Sequence, residues 1–329
     1  MKSLVIGYGS IGKRHIVNLS KIQKMTIIVC TKRKYDNFLK KHNCLVFSSL
    51  SDCIDQKPDF GIISNETSLH VKTAIKLAKA GINFIVEKPL SNNLSDLNKL
   101  SKLVNHKRLV TFVTCPLRFN PCIKKIKELL EKNKIGHIFS IIVENGSFLP
   151  EWHKNEDYKK NYASKKELGG GVILTSIHEL DYVKWFFGSV KEVFSISKKI
   201  SNLKINVEDI SYILMNMNNN IVASIHLDYF QKPSFRSCKI IGENGTIYWN
   251  SDNNSVKLFN SKKNCWETKL KIEHYIINDL YIDELKYFLN CHKHNIKTMN
   301  DVDDGIDTLK IALSIKKSSK MKKMVTKFD

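Results

Sequence analysis

The residues with the clearest capacity for chemistry are three glycines near the start of the chain, spaced Gly-x-Gly-x-x-Gly. The motif occupies residues Gly7, Tyr8, Gly9, Ser10, Ile11 and Gly12. The first two glycines allow a tight turn and a close approach of the backbone to a pyrophosphate, and the third lets the following helix pack on the strand. A helix N-terminus at this point adds amide donors and positive potential. The motif therefore predicts a dinucleotide site, with a plain glycine turn as the alternative.

Thr31 and Arg33 lie about twenty residues further along, where this kind of motif selects its nucleotide. An acidic residue there would bind the ribose 2′-hydroxyl and repel a 2′-phosphate, but the segment Cys30-Thr31-Lys32-Arg33 contains no acid. A Thr hydroxyl can donate a hydrogen bond, and an Arg fork can bind a phosphate. We therefore expect NADP(H) to be favoured, with NAD(H) as the alternative. Under that alternative, Lys32 and Arg33 belong to the general excess of basic residues.

The elements around the motif alternate between strand and helix. The apolar and amphipathic patterns predict strands over 3–7, 25–30, 60–65, 83–89 and 108–114, and helices after the glycine motif and over 70–81 and 95–105. Strands alternating with helices of this length are typical of a doubly wound parallel sheet. The sequence therefore predicts an α/β fold with an N-terminal Rossmann domain over residues 1–118.

The second half of the chain follows a different pattern. A helix over 121–136 is followed by long alternating runs, which predict strands that pair in antiparallel fashion through turns at 217–220 and Asn244-Gly245. Helices over 279–293 and 302–318 close the chain. We expect a C-terminal α/β domain over 119–329, built on a large open, mainly antiparallel sheet.

Composition excludes several classes of protein. The 329 residues are 42% hydrophobic and 26% charged, close to globular averages, so a largely disordered or fibrous chain is excluded. No apolar run approaches the length of a membrane span, and the first residues lack a signal-peptide cleavage site, so we expect a cytoplasmic protein with no membrane partner. None of the eight cysteines forms a Cys-x-x-Cys pair or lies beside a metal-like His spacing. Free thiols and no metal site are the expectation.

The net charge of +21 raises the question of a nucleic-acid partner. Only five of the basic residues are Arg, and the excess is Lys distributed along the whole chain. Nucleic-acid readers favour Arg and concentrate charge on one face. We therefore expect no nucleic-acid partner, and attribute to the charge at most a general attraction for anionic substrates.

Several further segments resemble the Gfo/Idh/MocA oxidoreductases, the family of glucose–fructose oxidoreductase and inositol dehydrogenase. The resemblance covers essentially the whole chain. It is carried by SNETSLH (64–70), VEKPLS (86–91), RFNP (118–121), IGHIFSIIVENGSFLPEW (135–152), LGGGVILTSIHELDYVKWFFG (168–188) and GENGTIYW (242–249).

The resemblance implies roles for individual residues. Lys88 of the EKP motif corresponds to the catalytic lysine, and His178 to the catalytic histidine. Residues implied at the cofactor, beyond the glycine motif and the Thr31–Arg33 segment, are Asn65, Thr67, His70, Glu87 and Lys88. Residues implied at a substrate pocket between the domains are Lys88, Arg118, Asn120, Tyr158, Tyr162, Thr175 and His178, and Trp152, His153 and Lys154 are weaker candidates. For each pocket residue, packing between domains is the alternative.

One position departs from the family pattern. Many relatives carry an aspartate one helical turn before the histidine, whereas this chain has Thr175. A threonine carries no negative charge, so it would neither increase the basicity of the histidine nor stabilise an imidazolium. Asp181 follows His178 by three residues on the same predicted helix face. We therefore include Asp181 as a catalytic candidate, with a structural role as the alternative.

The resulting functional hypothesis is an NAD(P)-dependent oxidoreductase that transfers a hydride between the nicotinamide and a hydroxyl or keto carbon of a sugar or nucleotide sugar. The motif variants resemble relatives that make sugars for surface polysaccharides, and the family implies a homodimer or homotetramer. Three alternatives stay open. They are an NAD-assisted glycoside hydrolase of the same family, a nucleotide-binding protein that has lost catalysis, and a nucleic-acid binder.

Overall fold

The computed structural model describes residues 1–152 and 157–328. The chain divides into two units, the first formed by Met1–Pro116 with Ile277–Asp307 and the second by Leu117–Ile276 with Thr308–Asp329. The expected boundary at 118 falls beside this division. Residues 277–307, which we had assigned to the second domain, group instead with the first unit.

The first unit contains a six-stranded parallel sheet. Its strands are β1 (Lys2–Ile6), β2 (Thr26–Cys30), β3 (Leu45–Phe47), β4 (Phe60–Ile63), β5 (Asn83–Val86) and β6 (Thr111–Val113). The order β3-β2-β1-β4-β5-β6 is that of a Rossmann fold, so the predicted fold class is confirmed for this unit. The strands are short and apolar because both faces of the sheet are covered.

Helices connect these strands and cover the sheet. They are α1 (Ser10–Ile22), α2 (Asn37–Lys41), α3 (Leu50–Asp55), α4 (His70–Lys79) and α5 (Leu97–His106). Helix α9 (Ile277–His294) packs on α1, where Asn18 and Asn278 exchange amide hydrogen bonds of 2.9 and 3.3 Å. The Arg14 guanidinium also lies 4.4 Å from the centre of the Tyr281 ring. These contacts explain why residues 277–307 group with the first unit.

The second unit contains an eight-stranded sheet. Its strands are β7 (Ile138–Gly146), β8 (Val190–Lys198), β9 (Ile210–Met217), β10 (Val222–Asp228), β11 (Phe235–Gly242), β12 (Gly245–Asn250), β13 (Ser255–Asn260) and β14 (Cys265–Lys271). The order is β14-β13-β12-β11-β7-β10-β9-β8, and every pair except the parallel pair of β7 with β10 is antiparallel. The predicted mainly antiparallel sheet is therefore confirmed.

Four further helices complete the chain. They are α6 (Pro121–Glu131), α7 (Val172–Thr175), α8 (His178–Phe187) and α10 (Val302–Met321). Helices α7 and α8 are separated by Ser176 and Ile177. Across residues 1–152 and 157–328, no helix combines the length and the apolar character that crossing a membrane requires.

Candidate active site

The glycine motif forms a tight loop between β1 and α1. Gly7 has a φ of +104°, and a Cβ added there would lie 2.5 Å from the Ser64 carbonyl oxygen. A Cβ added at Gly12 would lie 2.1 Å from the Gly7 carbonyl oxygen, whereas one at Gly9 would meet no atom of the described residues within 4 Å. Two glycines are therefore required by packing, and the third leaves the loop open.

The loop suits a dinucleotide. Gly9 is the N-cap of α1, and within the described residues it receives no side-chain cap, nor does the first turn contain an acid. The amides that begin this 13-residue helix, at Ser10, Ile11 and Gly12, therefore keep their capacity to bind an anion. A second observation lies at the end of β4, where the buried amide oxygen of Asn65 has no hydrogen-bond partner among the described residues. Both features fit a ligand rich in phosphate and hydroxyl groups.

Tyr8 connects the glycine loop to the segment after β2. Its hydroxyl donates to the Asp36 carboxylate, at 2.8 and 2.9 Å from the two oxygens, and Asp36 caps α2 by accepting from the Leu39 amide at 3.0 Å. The Lys13 ammonium lies 4.6 Å from the centre of the Tyr8 ring. Burial and the bond to Asp36 raise the pKa of Tyr8, and the Leu39 and Tyr8 bonds lower the pKa of Asp36. Sequence analysis missed Asp36, although an Asp before Asn-Phe-Leu is a recognisable helix cap.

The Thr31 and Arg33 positions differ in what their side chains do. The Thr31 hydroxyl accepts from the Arg33 amide at 3.1 Å, so it stabilises the turn that follows β2. Arg33 is exposed, as are its neighbours Lys32 and Lys34. The Arg33 side chain is accordingly accessible to an anion approaching this turn.

The EKP motif begins directly after β5. The Glu87 carboxylate lies 2.7 Å from His15 Nε2 and accepts from the Thr114 hydroxyl at 3.0 Å, and the Lys88 amide donates to that hydroxyl at 3.0 Å. Burial tends to raise the pKa of Glu87, but its hydrogen bond with His15 and the nearby charges outweigh burial and lower this pKa. Glu87 is buried, whereas Lys88 is half-buried. Sequence analysis missed His15 and Thr114, and neither stands in a motif that would have identified it.

The residues after β4 are largely occupied by contacts within the first unit. His70 is 1% exposed, and its Nδ1 and Nε2 lie 2.9 and 3.0 Å from the carbonyl oxygens of Pro89 and Asn65. Burial lowers the pKa of His70, against the raising effect of the two carbonyls. Asn65 Nδ2 donates to the Thr73 hydroxyl at 3.1 Å, and Thr67 begins a short 3-10 turn and is buried. His70 therefore anchors the EKP segment at Pro89, one residue beyond the contact of Lys88 with Thr114.

His178 is the first residue of α8 and is half-buried. The glycines that precede it turn the chain with positive φ at Gly169 and Gly171, and a Cβ at Gly171 would lie 2.3 Å from a Glu208 carboxylate oxygen. The residue after the histidine, Glu179, is fully buried, and its carboxylate lies 2.8 Å from Arg236 Nε. These contacts fix the start of α8 and therefore the backbone that carries His178.

Thr175 and Asp181, whose roles the sequence left open, both have hydrogen-bond partners. The Thr175 hydroxyl accepts from the Tyr229 hydroxyl at 2.7 Å. Asp181 forms a two-bond ion pair with Arg118, in which Nε and Nη2 each lie 2.8 Å from a carboxylate oxygen. The pair is buried, with side-chain exposures of 4% for Arg118 and 8% for Asp181. Arg118 and Asp181, predicted for substrate and catalysis respectively, thus bind each other.

The remaining predicted pocket residues also lie in the second unit. Asn120 caps α6 by accepting from the Cys122 amide at 2.8 Å, and its Nδ2 donates to the Tyr275 hydroxyl at 2.8 Å. The Tyr158 hydroxyl accepts from the Lys204 amide at 3.2 Å. Tyr162 is half-buried, and the Trp152 indole donates to the Ser147 hydroxyl at 2.9 Å. His153 and Lys154 lie outside the described residues.

The described part of the chain contains no set of side chains suited to bind a metal ion. Residues 1–152 and 157–328 bring together no group of three or more His, Cys, Asp or Glu side chains able to hold a metal ion. The described residues instead include an amide cradle at Gly9, the half-buried Lys88 and the half-buried His178. Such groups bind anions and transfer protons.

Comparisons with known proteins give a consistent result. A family model described as "Oxidoreductase family, NAD-binding Rossmann fold" matches residues 1–115, and one described as "GFO/IDH/MocA C-terminal domain" matches residues 123–248. Myo-inositol 2-dehydrogenase of Thermotoga maritima is 23% identical over 99% of this chain and 98% of its own length. D-xylose dehydrogenase of Paenarthrobacter nicotinovorans is 26% identical over 53% of this chain and 46% of its own. A levoglucosan dehydrogenase solved with NADH has the same fold, with a TM-score of 0.89 at 17% identity over 99% of this chain and 98% of that one.

Proposed function

Because the chain belongs to the GFO/IDH/MocA family of oxidoreductases, we propose that it is an NAD(P)-dependent dehydrogenase that acts on a hydroxyl-bearing carbon of a sugar or cyclic polyol. The observation that carries the proposal is the open amide cradle at Gly9 in a sheet ordered as a Rossmann fold. The relatives named myo-inositol 2-dehydrogenase and D-xylose dehydrogenase support this class of substrate. A nucleotide sugar is the narrower proposal, supported by the excess of lysine.

The proposed chemistry is oxidation of a secondary alcohol or its reverse. The nicotinamide, when bound, accepts or supplies the hydride. Oxidation also releases the hydroxyl proton, and a basic side chain must receive it. We assign this proton to His178 or Lys88, since imidazole and amine side chains act as general bases in such proton transfers. The pair with Arg118 gives Asp181 a structural role within the second unit, where it joins the turn at Pro116–Phe119 to α8, rather than the role of receiving the proton.

We propose that Arg33 gives the protein a preference for NADPH over NADH. Arg33 is exposed at the turn after β2, and the Thr31 hydroxyl shapes that turn. The test is a fluorescence titration of the purified protein with NADPH and, separately, with NADH. We expect tighter binding of NADPH, and loss of that preference in Arg33→Ala. Equal or tighter binding of NADH by the unchanged protein would contradict the proposal. Lys34→Ala is a matched control, because it removes a neighbouring exposed charge without the planar fork.

Turnover is tested with the preferred cofactor on a panel that contains myo-inositol, D-xylose, levoglucosan and UDP-linked sugars. Absorbance at the reduced nicotinamide band reports oxidation of any of them. Release of free sugar without net reduction would favour the glycoside hydrolase alternative instead. Cofactor binding without turnover of any substrate, in protein shown to be folded, would favour the non-catalytic alternative.

We also propose that the protein assembles through one face of its second sheet. Neighbouring residues of β7, β8, β9 and β10 expose apolar side chains on the same face: Ile142, Ile196, Tyr212, Leu214 and Val222 are 40–56% exposed. A contiguous apolar face of this kind is typical of an interface. Light scattering after gel filtration is expected to give a dimer or tetramer, and Leu214→Lys is expected to reduce its size. A monomeric wild-type protein would refute the proposal.

A further inference from the structure

Three buried side chains of the first unit form a continuous chain of hydrogen bonds that ends at the backbone of Lys88. His15 Nε2 lies 2.7 Å from Glu87 Oε1, Thr114 Oγ1 lies 3.0 Å from Glu87 Oε2, and the Lys88 amide nitrogen lies 3.0 Å from Thr114 Oγ1. His15, Glu87 and Thr114 are 1%, 7% and 3% exposed. They come from α1, from the residue after β5 and from the residue after β6, so the chain connects three separate elements.

The direction of each bond follows from the chemistry of its partners. A carboxylate only accepts, so His15 must carry its hydrogen on Nε2, and the Thr114 hydroxyl must donate its single hydrogen to Glu87. The free lone pairs of that hydroxyl are then available to the Lys88 amide, which only donates. Because the contacts of Glu87 lower its pKa, the carboxylate is ionised at neutral pH, and this orientation of the hydroxyl is the stable one.

The neighbouring residue is anchored as well. The Pro89 carbonyl oxygen lies 2.9 Å from Nδ1 of the buried His70, and the Glu87 amide donates to the Ile63 carbonyl at 2.9 Å. The backbone around Lys88 is therefore held on both sides, while the Lys88 side chain stays half-buried. Such an arrangement fixes the origin of a flexible side chain, which determines where its ammonium can reach.

We propose that His15, Glu87 and Thr114 are positioning residues for Lys88, linking the helix of the glycine cradle to the lysine of the EKP motif. The proposal rests on the proposed function for the role of Lys88 in proton transfer. His15 stands three residues after Gly12 on α1, so the element that forms the amide cradle also anchors the lysine. Pre-positioning of this kind lowers the entropy that a reacting group loses in the transition state.

The first test measures the backbone at Lys88 directly, in the full chain without added ligand. Hydrogen–deuterium exchange is followed by mass spectrometry with residue-level fragmentation in wild type, Thr114→Val and Thr114→Ser. Thr114→Val removes the acceptor without changing the shape of the side chain. We expect exchange at the Lys88 amide to rise about five- to tenfold, as for loss of one hydrogen bond. Thr114→Ser keeps the hydroxyl and is expected to restore wild-type exchange.

The chain offers a matched control for general loss of stability. Thr111 is the first residue of β6, the strand that Thr114 follows, and is 2% exposed; its hydroxyl accepts from the Val302 amide at 3.2 Å. Thr111→Val therefore removes an equally buried bond to a backbone amide, but at a different element. We expect it to leave exchange at Lys88 unchanged. Exchange at Lys88 that is the same in Thr114→Val as in wild type, or that rises equally in Thr111→Val, would overturn the positioning chain.

The second test separates this inference from the proposed function. NADH binding is titrated by fluorescence, and kcat is measured on whichever panel sugar the wild type oxidises. We expect Thr114→Val to bind NADH as wild type does but to have a lower kcat, and Thr114→Ser to restore kcat. Failure of the wild type to bind either NADPH or NADH would overturn the proposed function, whereas the exchange experiment would still decide the positioning chain. An unchanged kcat in Thr114→Val, despite faster exchange at Lys88, would overturn the inferred link to catalysis.

Discussion

The ion pair between Arg118 and Asp181 gives the sharpest test of what Asp181 does. Both side chains are nearly excluded from solvent, and two parallel bonds of 2.8 Å join the guanidinium to the carboxylate. The perturbation is Asp181→Asn, which keeps the size of the side chain and removes its charge. One carboxylate oxygen then becomes an amide NH2 facing an N–H donor of Arg118, so one bond is lost and a buried charge is left without its partner.

The magnitude follows from the burial of the pair. Removing one partner of a buried ion pair costs about 3–5 kcal/mol, mostly because the remaining charge stays desolvated. Replacing both partners by apolar residues of similar size is near neutral. Arg118→Met with Asp181→Leu is the matched variant, because methionine retains packing beside Trp185, whose ring centre lies 5.5 Å from the guanidinium carbon. We therefore expect the single variant to be much less stable than the double variant.

Urea unfolding followed by tryptophan fluorescence measures this difference in the correct part of the chain. All four tryptophans belong to the second unit, so their signal reports that unit. With a typical slope of about 2–3 kcal/mol/M, the loss corresponds to a midpoint about 1–2.5 M lower for Asp181→Asn. The double variant is expected to unfold close to the wild-type midpoint.

Two results would refute the reasoning. An Asp181→Asn midpoint equal to that of wild type would mean that the pair does not stabilise the fold. A double variant as unstable as the single one would mean that the cost comes from lost packing rather than from an isolated charge. A sharply lower kcat in the double variant, at wild-type stability, would indicate that Asp181 or Arg118 takes part in the reaction.

Three further predictions concern the cradle, the buried carboxylate and the neutral position before the histidine. Gly12→Ala is expected to abolish NADH binding and destabilise the first unit, because the added methyl overlaps a backbone carbonyl. Gly9→Ala is expected to fold normally and lose only NADH affinity. Calorimetry measures the stability of each variant, and fluorescence titration measures its NADH affinity. The folded-state pKa of Glu87 lies below its usual 4.5, so its stabilisation is present above pH 4.5 and is lost as pH falls through the lowered value. Glu87→Gln should therefore flatten the dependence of urea midpoints on pH in that acidic range, and an unchanged slope would contradict this. Thr175→Asp is expected to move the rising limb of the kcat–pH profile to higher pH, because a carboxylate close to His178 would make the imidazole more basic, and an unmoved limb would contradict this expectation.

Local patterns were sufficient to predict the first half of the fold. The glycine spacing is typical of a strand–turn–helix segment. Gly7 and Gly12 lie too close to neighbouring backbone atoms to carry a side chain. The short strand β3 was missed because it has three residues, half-exposed or exposed, and no alternation that distinguishes it from a loop. Alternating runs likewise predicted the antiparallel strands of the second sheet, but not the parallel pairing of β7 with β10, which depends on residues far apart in the chain.

The partners of the candidate site residues could not be predicted in the same way. His15 and Glu87 are separated by 72 residues, and Arg118 and Asp181 by 63. A single sequence contains no signal that pairs such positions, because each side chain alone is compatible with many environments. The motifs therefore predicted candidate site residues, such as Lys88, while the tertiary structure alone showed which neighbours contact them.

The uncharged side chain of Thr175 and its hydrogen-bond partner bear on which groups can carry negative charge near the start of α8. The Thr175 hydroxyl accepts from the Tyr229 hydroxyl at 2.7 Å, and Tyr229 is fully buried. Burial raises the pKa of Tyr229 well above its usual value of 10, with the hydrogen bond to Thr175 opposing it only in part. Neither hydroxyl can therefore supply negative charge at neutral pH, and the charge of Asp181 is balanced by that of Arg118 in their ion pair. Under the proposed reaction we therefore expect His178 or Lys88, rather than Thr175, Tyr229 or Asp181, to receive the proton released from a substrate.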